Sequence, residues 1–305
     1  MTAPEATAPS QRNTAISHAG AVVRAMRPAQ WLKNGIVFAG LVFGGKLLEP
    51  ATVASATLAA LAFCLLSGGF YLINDVRDRD ADRLHPVKRL RPVPAGELTP
   101  RTAAFVGAIL VVLAILGSAI LSWGLMLVVL AYTSLMAAYN LGLKEIVILD
   151  VFAIAAGFVL RAVGGAIAVD VSISPWLLIC TVLLALLIGF GKRRHELAAL
   201  ENAADHRRNL NLYNRPMLDQ AVAVTAAGTL IAYAVYTFDS QSAQNHHRMM
   251  LTLPFVAYGV FRYLYLLYLG GQGGAPETML LTDRPLLASV AAWAVASAFL
   301  FYFTG

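Results

Sequence analysis

Charge is the scarcest property of this 305-residue chain: Asp, Glu, Lys and Arg together make 13% of it, where a soluble domain carries about 25%. With 58% hydrophobic residues and a mean hydropathy of +0.67, that deficit excludes an ordinary soluble fold. The composition is that of a polytopic membrane protein. Cysteine is almost missing. Cys64 and Cys180 both lie in apolar stretches, which excludes a disulfide framework and a thiolate metal site. Histidine is scarce too. His85, His195 and the pair His246–His247 have no ligand partner at useful spacing, so no histidine metal site is expected. Long polar segments are lacking as well. The two largest, Val76–Thr99 and Lys192–Arg215, are too short to build a core. No sequence repeat is evident.

What is present is apolar sequence in bilayer-length pieces. Nine stretches, near 31–48, 53–74, 102–120, 123–140, 146–168, 175–192, 217–238, 250–269 and 285–303, predict nine transmembrane helices. The first is interrupted by Lys33 and Asn34. The expected architecture is all-α, a single bundle over 23–305 preceded by a disordered tail over 1–22. That tail is polar, small and Pro-containing, and does not read as a cleavable signal peptide. Threading nine spans from a cytosolic N-terminus puts every Lys and Arg except Lys46, Arg248 and Arg161 on the cytosolic side or its loops. The net charge of +6 is therefore a membrane-face charge and gives no reason to expect nucleic acid as a partner.

One segment carries chemistry. The run Asn74-Asp75-Val76-Arg77-Asp78-Arg79-Asp80-Ala81-Asp82 closes the second span. On a helix Asp75, Asp78 and Asp82 fall within about 60° of one another, with Asp80 on the far side. Carboxylates stacked on one face repel unless a cation sits between them. Few, hard oxygen ligands beside basic residues suit Mg²⁺ shared with a diphosphate, so Asn74, Asp75, Asp78 and Asp82 are the expected metal residues. The plainer reading is a charged loop that keeps a helix hairpin in the cytosol. Lys88 and Arg91 follow the motif, with Pro86 and Pro92 bending the chain so that both can fold back over it. As positive-inside anchors they would need no such role.

Other candidates are scattered. Lys144 closes the loop after Tyr139, and Asp150 stands at the start of the fifth span. Arg161 lies on the face of Asp150 and roughly 16 Å deeper. A lone arginine at that depth is functional or paired. Gly157 and Gly164 share its face, either for close packing or for ligand room. The sixth span ends Gly191-Lys192-Arg193-Arg194-His195-Glu196, a membrane anchor or part of a site on the side of the aspartates.

Asn74–Asp82 resembles the first aspartate motif of the UbiA superfamily of intramembrane prenyltransferases, over nearly the whole chain after the tail. Further segments narrow the likeness: Arg27-Pro28-Ala29-Gln30-Trp31-Leu32-Lys33-Asn34, His85-Pro86-Val87-Lys88-Arg89-Leu90-Arg91-Pro92, Leu160-Arg161-Ala162 with Gly164-Gly165, Gly191-Lys192-Arg193, and Gly274-Ala275-Pro276-Glu277 with Asp283-Arg284. They resemble the branch that moves 5-phosphoribose rather than a prenyl group. The second aspartate motif usual in prenyltransferases is reduced here, across Tyr139 to Asp150, to Tyr139, Lys144 and Asp150.

The resemblance implies nine helices around a central cavity open to the cytosol, in the plasma membrane. It implies Mg²⁺, 5-phosphoribosyl 1-diphosphate as donor and a polyprenyl (decaprenyl) phosphate as acceptor, for lipid-linked arabinose and cell-wall arabinan. Asp75, Asp78, Asp82 and Lys88 would then be catalytic. Lys33, Asn34, Asn74, Lys88, Arg91, Tyr139, Lys144, Asp150, Arg161, Lys192 and Arg193 would bind substrate. A phosphate nucleophile is already ionised, so no general base is required. Prenyl transfer to an aromatic or other acceptor is the alternative, and a carrier or channel the third class. Intramembrane charge confined to one side, Arg161 apart, speaks against the last. A homo-oligomer is left open.

Overall fold

Segments this apolar must satisfy their backbone groups internally, and in lipid a single stretch can do so only as a helix. The computed structural model describes residues 11–200, 210–239, 247–270, 273–274 and 276–303, and among these there is no strand. The helices are α1 (Gln11–Ala25), α2 (Ala39–Phe43), α3 (Pro50–Arg77), α4 (Arg79–Leu84), α5 (Pro100–Leu121), α6 (Trp123–Leu141), α7 (Leu149–Ala168), α8 (Pro175–Leu200), α9 (Arg215–Asp239), α10 (Leu253–Tyr268), α11 (Pro276–Thr282) and α12 (Arg284–Phe303). Four of them open on proline, whose missing N–H would be unpaired at a first position anyway. Ser122 caps α6 by accepting from the Leu125 N–H at 3.1 Å.

Among the described residues, seven helices are long and apolar enough to cross a bilayer: α3, α5, α6, α7, α8, α9, and α10 with the 3₁₀ turn before it. The other two expected spans differ. Residues 31–48 do not form one long helix. Pro28–Phe38 is 3₁₀, followed by the five-residue α2. The reason is tertiary: Asn34 turns inward and is buried, and Gly40 is pressed against the Ala166 backbone, where a Cβ would lie 2.8 Å from the Ala166 Cα. The last expected span is α12, whose apolar stretch Arg284–Leu300 is shorter than the seven. Helix α1 begins inside the segment expected as a tail; residues 1–10 of that tail lie outside the described residues.

The chain divides into two units, residues 1–31 with 64–114, and residues 32–63 with 115–305. In the first, Ala25 and Met26 of α1, Leu72 of α3, Val93, Leu98 and Ala103 form a buried cluster. Helices α3 and α5 cross where Gly69 meets Gly107, so closely that a Cβ on Gly69 would stand 2.7 Å from the Gly107 carbonyl oxygen. Helix α1 ends at Ala25, and Arg27, at φ 54°, turns the chain before Pro28.

In the second unit α6, α7, α8 and α9 pack successively, and α10 packs on α9 and α12. Their core includes Val151 and Ala155 of α7, Leu187 and Phe190 of α8, Leu218 and Val222 of α9, and Tyr263 and Leu266 of α10. Gly164 and Gly165 of α7 accept close neighbours. The Phe63 ring lies against Gly164, and the Val37 carbonyl fills the space a Gly165 Cβ would need. Packing is thus the role of Gly164.

Candidate functional site

The aspartate motif forms at the end of α3. Asp78 interrupts the helix between α3 and α4, yet the i→i−4 bonds run through it: Asp78 N–H to the Asn74 carbonyl at 2.9 Å and Asp82 N–H to the Asp78 carbonyl at 2.8 Å. The helical phase is kept. Asp75 and Asp82 are buried, Asp78 and Asn74 half-buried, and the Asp80 side chain is 78% exposed beside Arg79 and Arg83.

Arg91 Nη1 lies 3.2 Å from Asp75 Oδ1 and 2.7 Å from Asp82 Oδ2, so two carboxylates converge on one cationic nitrogen. Lys88 Nζ stands 3.6 Å from Asp82 Oδ1. The basic run between Pro86 and Pro92 lies folded back onto the motif. Arg27 also pairs with Asp75 Oδ1 and lies over the Tyr71 ring, 4.6 Å from its centroid. Burial pulls the Arg27 pKa below the usual arginine value, against the opposing pull of Asp75.

Asp75 Oδ2 is buried with no hydrogen-bond partner. That unused oxygen, next to a second carboxylate, fits a hard divalent cation. The structure does not gather the whole expected set. Among the described residues no three Asp, Glu, His or Cys side chains come together as a metal-holding group; the Arg91 guanidinium lies between Asp75 and Asp82.

Arg161 is the centre of a second cluster, in the other unit. It is 6% exposed. Its Nε donates to Asn34 Oδ1 at 2.7 Å, Nη1 to the Gly157 carbonyl at 3.0 Å and Nη2 to the Tyr132 hydroxyl at 2.6 Å. The rings of Tyr132 and Phe158 lie 4.7 and 5.4 Å from its Cζ. Every one of these partners is neutral, and no carboxylate pairs with it among the described residues. Two of its five N–H groups have no partner in this set. A buried guanidinium whose partners are all neutral can accept an anion.

Asp150 and Arg193 belong to a third cluster. Arg193 Nε stands 2.9 Å from Asp150 Oδ2, at 1% and 0% side-chain exposure, and Arg193 also pairs with Glu196. The Tyr213 hydroxyl donates to Asp150 Oδ1 at 2.8 Å and accepts the Ile148 N–H at 2.6 Å. Burial pushes the Tyr213 phenol well above its ordinary pKa, so the hydroxyl stays a donor. Ile148 has φ 71°; a β-branched residue there costs about 1–3 kcal/mol. Asp150 therefore does not answer Arg161.

Lys33 lies half-buried in the 3₁₀ stretch, Tyr139 half-buried in α6 and Lys144 half-buried in the 3₁₀ turn Leu143–Glu145. Lys192 is 4.0 Å from Glu196. His85 accepts the Val87 and Lys88 N–H groups, so it shapes the turn after the motif. His246, Arg207, Arg208 and Ala275 lie outside the described residues. Sequence reasoning missed Arg27, Tyr132 and Tyr213 as partners of the charged groups. For Arg27 the signal was its place at the head of the segment Arg27–Asn34, one of those that carry the family resemblance. Tyr132 and Tyr213 had none, because their partners are 29 and 63 residues away.

Seven bilayer-length helices among the described residues, with buried carboxylate–guanidinium clusters, define a polytopic membrane protein with polar groups in its interior. Residues 35–281 match the UbiA prenyltransferase family, and the chain belongs to that family. It is an integral membrane enzyme of the transferase class. The decaprenyl-phosphate phosphoribosyltransferase of Mycolicibacterium smegmatis is 33% identical over 288 residues, covering 89% of each chain. Its namesake in Mycobacterium tuberculosis is 32% identical, covering 89% of this chain and 91% of that one. The fold matches a UbiA homolog from Archaeoglobus fulgidus, solved bound to GPP and Mg²⁺, at a TM-score of 0.72 and 18% identity over 92% of this chain and 99% of that one.

Proposed function

We propose that the chain transfers 5-phosphoribose from 5-phosphoribosyl 1-diphosphate to a polyprenyl phosphate, releasing diphosphate. The observation that carries this reading is the near full-length likeness to the two phosphoribosyltransferases. The lipid phosphate oxygen forms a bond to ribose C1 as the bond from C1 to diphosphate breaks. The acceptor is already an anion, which agrees with a site that offers basic groups and no poised histidine.

Asp75, Asp78, Asp82 and Asn74 would hold Mg²⁺, which supplies charge neutralisation to the departing diphosphate. Lys88 and Arg91, already beside those carboxylates, would turn donors to the phosphates. Arg161, with neutral partners, would bind a phosphate of donor or acceptor. Lys33, Lys144 and Lys192 are proposed for the remaining phosphate charge. Asn34 holds Arg161, and Tyr139 is proposed as a substrate contact. Asp150 and Arg193 would act by keeping their helices in register. Nine crossings around a cytosol-facing cavity, a plasma-membrane location and supply of lipid-linked arabinose for cell-wall arabinan complete the proposal.

The fold of the A. fulgidus homolog bound to GPP keeps prenyl transfer as the second reading. Membranes holding the protein, a defined polyprenyl phosphate and radiolabelled 5-phosphoribosyl 1-diphosphate separate the two. Label should enter lipid, stop with a chelator and resume with added Mg²⁺. Label that enters lipid-soluble product only from a prenyl diphosphate overturns the proposal.

A further inference from the structure

The turn between α6 and α7 is held in a shape its own residues disfavour. Ile148, at φ 71° and ψ −49°, stands just ahead of α7. Its N–H is taken by the Tyr213 hydroxyl at 2.6 Å, and that hydroxyl donates to Asp150 Oδ1 at 2.8 Å. Tyr213 comes from the short segment before α9, 65 residues along the chain. The turn itself is tightly bonded. Glu145 N–H reaches the Gly142 carbonyl at 2.9 Å, Ile146 N–H the Leu143 carbonyl at 3.2 Å and Asp150 N–H the Ile146 carbonyl at 3.1 Å. Few free torsions separate Ile148 from Lys144. A phenylalanine would fill the same core space as Tyr213, so the hydroxyl is what the turn requires.

We propose that Tyr213 is a positioning residue for the transfer: its hydroxyl fixes the strained 143–148 turn and so sets where the Lys144 ammonium meets a phosphate of the substrate. The proposal rests on the reading of Lys144 as a phosphate-binding residue.

The test uses the full chain in lipid nanodiscs. Affinities for Mg²⁺ with 5-phosphoribosyl 1-diphosphate and for polyprenyl phosphate are measured separately, with hydrogen exchange of the 143–150 amides and melting temperature. Tyr213→Phe should weaken one of the two affinities about tenfold, the scale of a buried donor left unpaired, and speed exchange in the turn. In a Lys144→Ala background it should weaken nothing further. Ile148→Gly should restore affinity to Tyr213→Phe, because glycine takes φ 71° without strain. Additive effects of Tyr213→Phe and Lys144→Ala overturn the proposal and leave the phosphoribosyl reading intact. So does a lower melting temperature with both affinities unchanged. Wild-type protein that binds neither substrate ends the phosphoribosyl reading instead; unchanged exchange in Tyr213→Phe then ends the positioning role as well.

Discussion

A buried charge needs a partner, and the three clusters meet that need differently. Asp75 and Asp82 face guanidinium and ammonium groups, Asp150 and Arg193 face each other, and Arg161 faces only neutral acceptors and rings. Different variants should therefore fail in different ways. Asp75→Asn and Asp82→Asn, and Asp78→Asn on the same face, should each lower transfer by about 100-fold or more if they hold the metal. Asp80→Ala, on the exposed face, should stay within about fivefold of wild type. Equal losses at all four would sink the one-face argument. Arg161→Met removes a buried charge with no counter-ion, so the protein should stay folded while transfer falls about 100-fold or more. An activity loss no larger than the unfolded fraction would assign Arg161 to structure instead. Thermal melts run beside the assay decide it.

At the scale of elements, glycines set how near the backbones come. A methyl group at Gly165 would land on the Val37 carbonyl, which is backbone and has little freedom to yield. Gly165→Ala should push the 3₁₀ stretch away from α7, cost about 1–3 kcal/mol and weaken the Asn34–Arg161 bond, so melting temperature and transfer should fall together. Gly157→Ala meets Arg161 Nη1 and Tyr132 only at 3.4 Å and should be close to neutral for folding. The reverse order of the two variants would refute this packing account. Most helices were legible because a 3.6-residue pattern was not even needed: length and apolarity marked them. The stretch 31–48 was not, since its inward Asn34 and its approach to α7 depend on residues beyond position 157.

For the whole molecule, the distribution of basic residues predicts a sidedness that can be measured. Five bilayer-length helices, α5 to α9, lie between Arg89 and Arg248 in the sequence. An odd number of crossings places those two positions on opposite sides. In a chain whose Cys64 and Cys180 are replaced by alanine, Arg89→Cys should react with an impermeant thiol reagent only from the cytosol, and Arg248→Cys only from outside. Labelling of both from one side would remove a crossing and with it the cytosolic assignment of the aspartate motif.

Composition and order alone determined that the chain is a helical membrane protein, where most helices run, and that Asp75 and Asp82 share a face apart from Asp80. Those properties follow from hydropathy and from the period of a helix, both local. Only the tertiary structure decided what each charge meets. Arg91 bridges Asp75 and Asp82, Arg27 pairs with Asp75, Arg193 takes Asp150, and Arg161 is left to Asn34, Tyr132 and a carbonyl. Such pairings are set by how helices cross, and a crossing depends on side-chain volumes contributed from distant parts of the sequence, as Gly40 and Gly165 show.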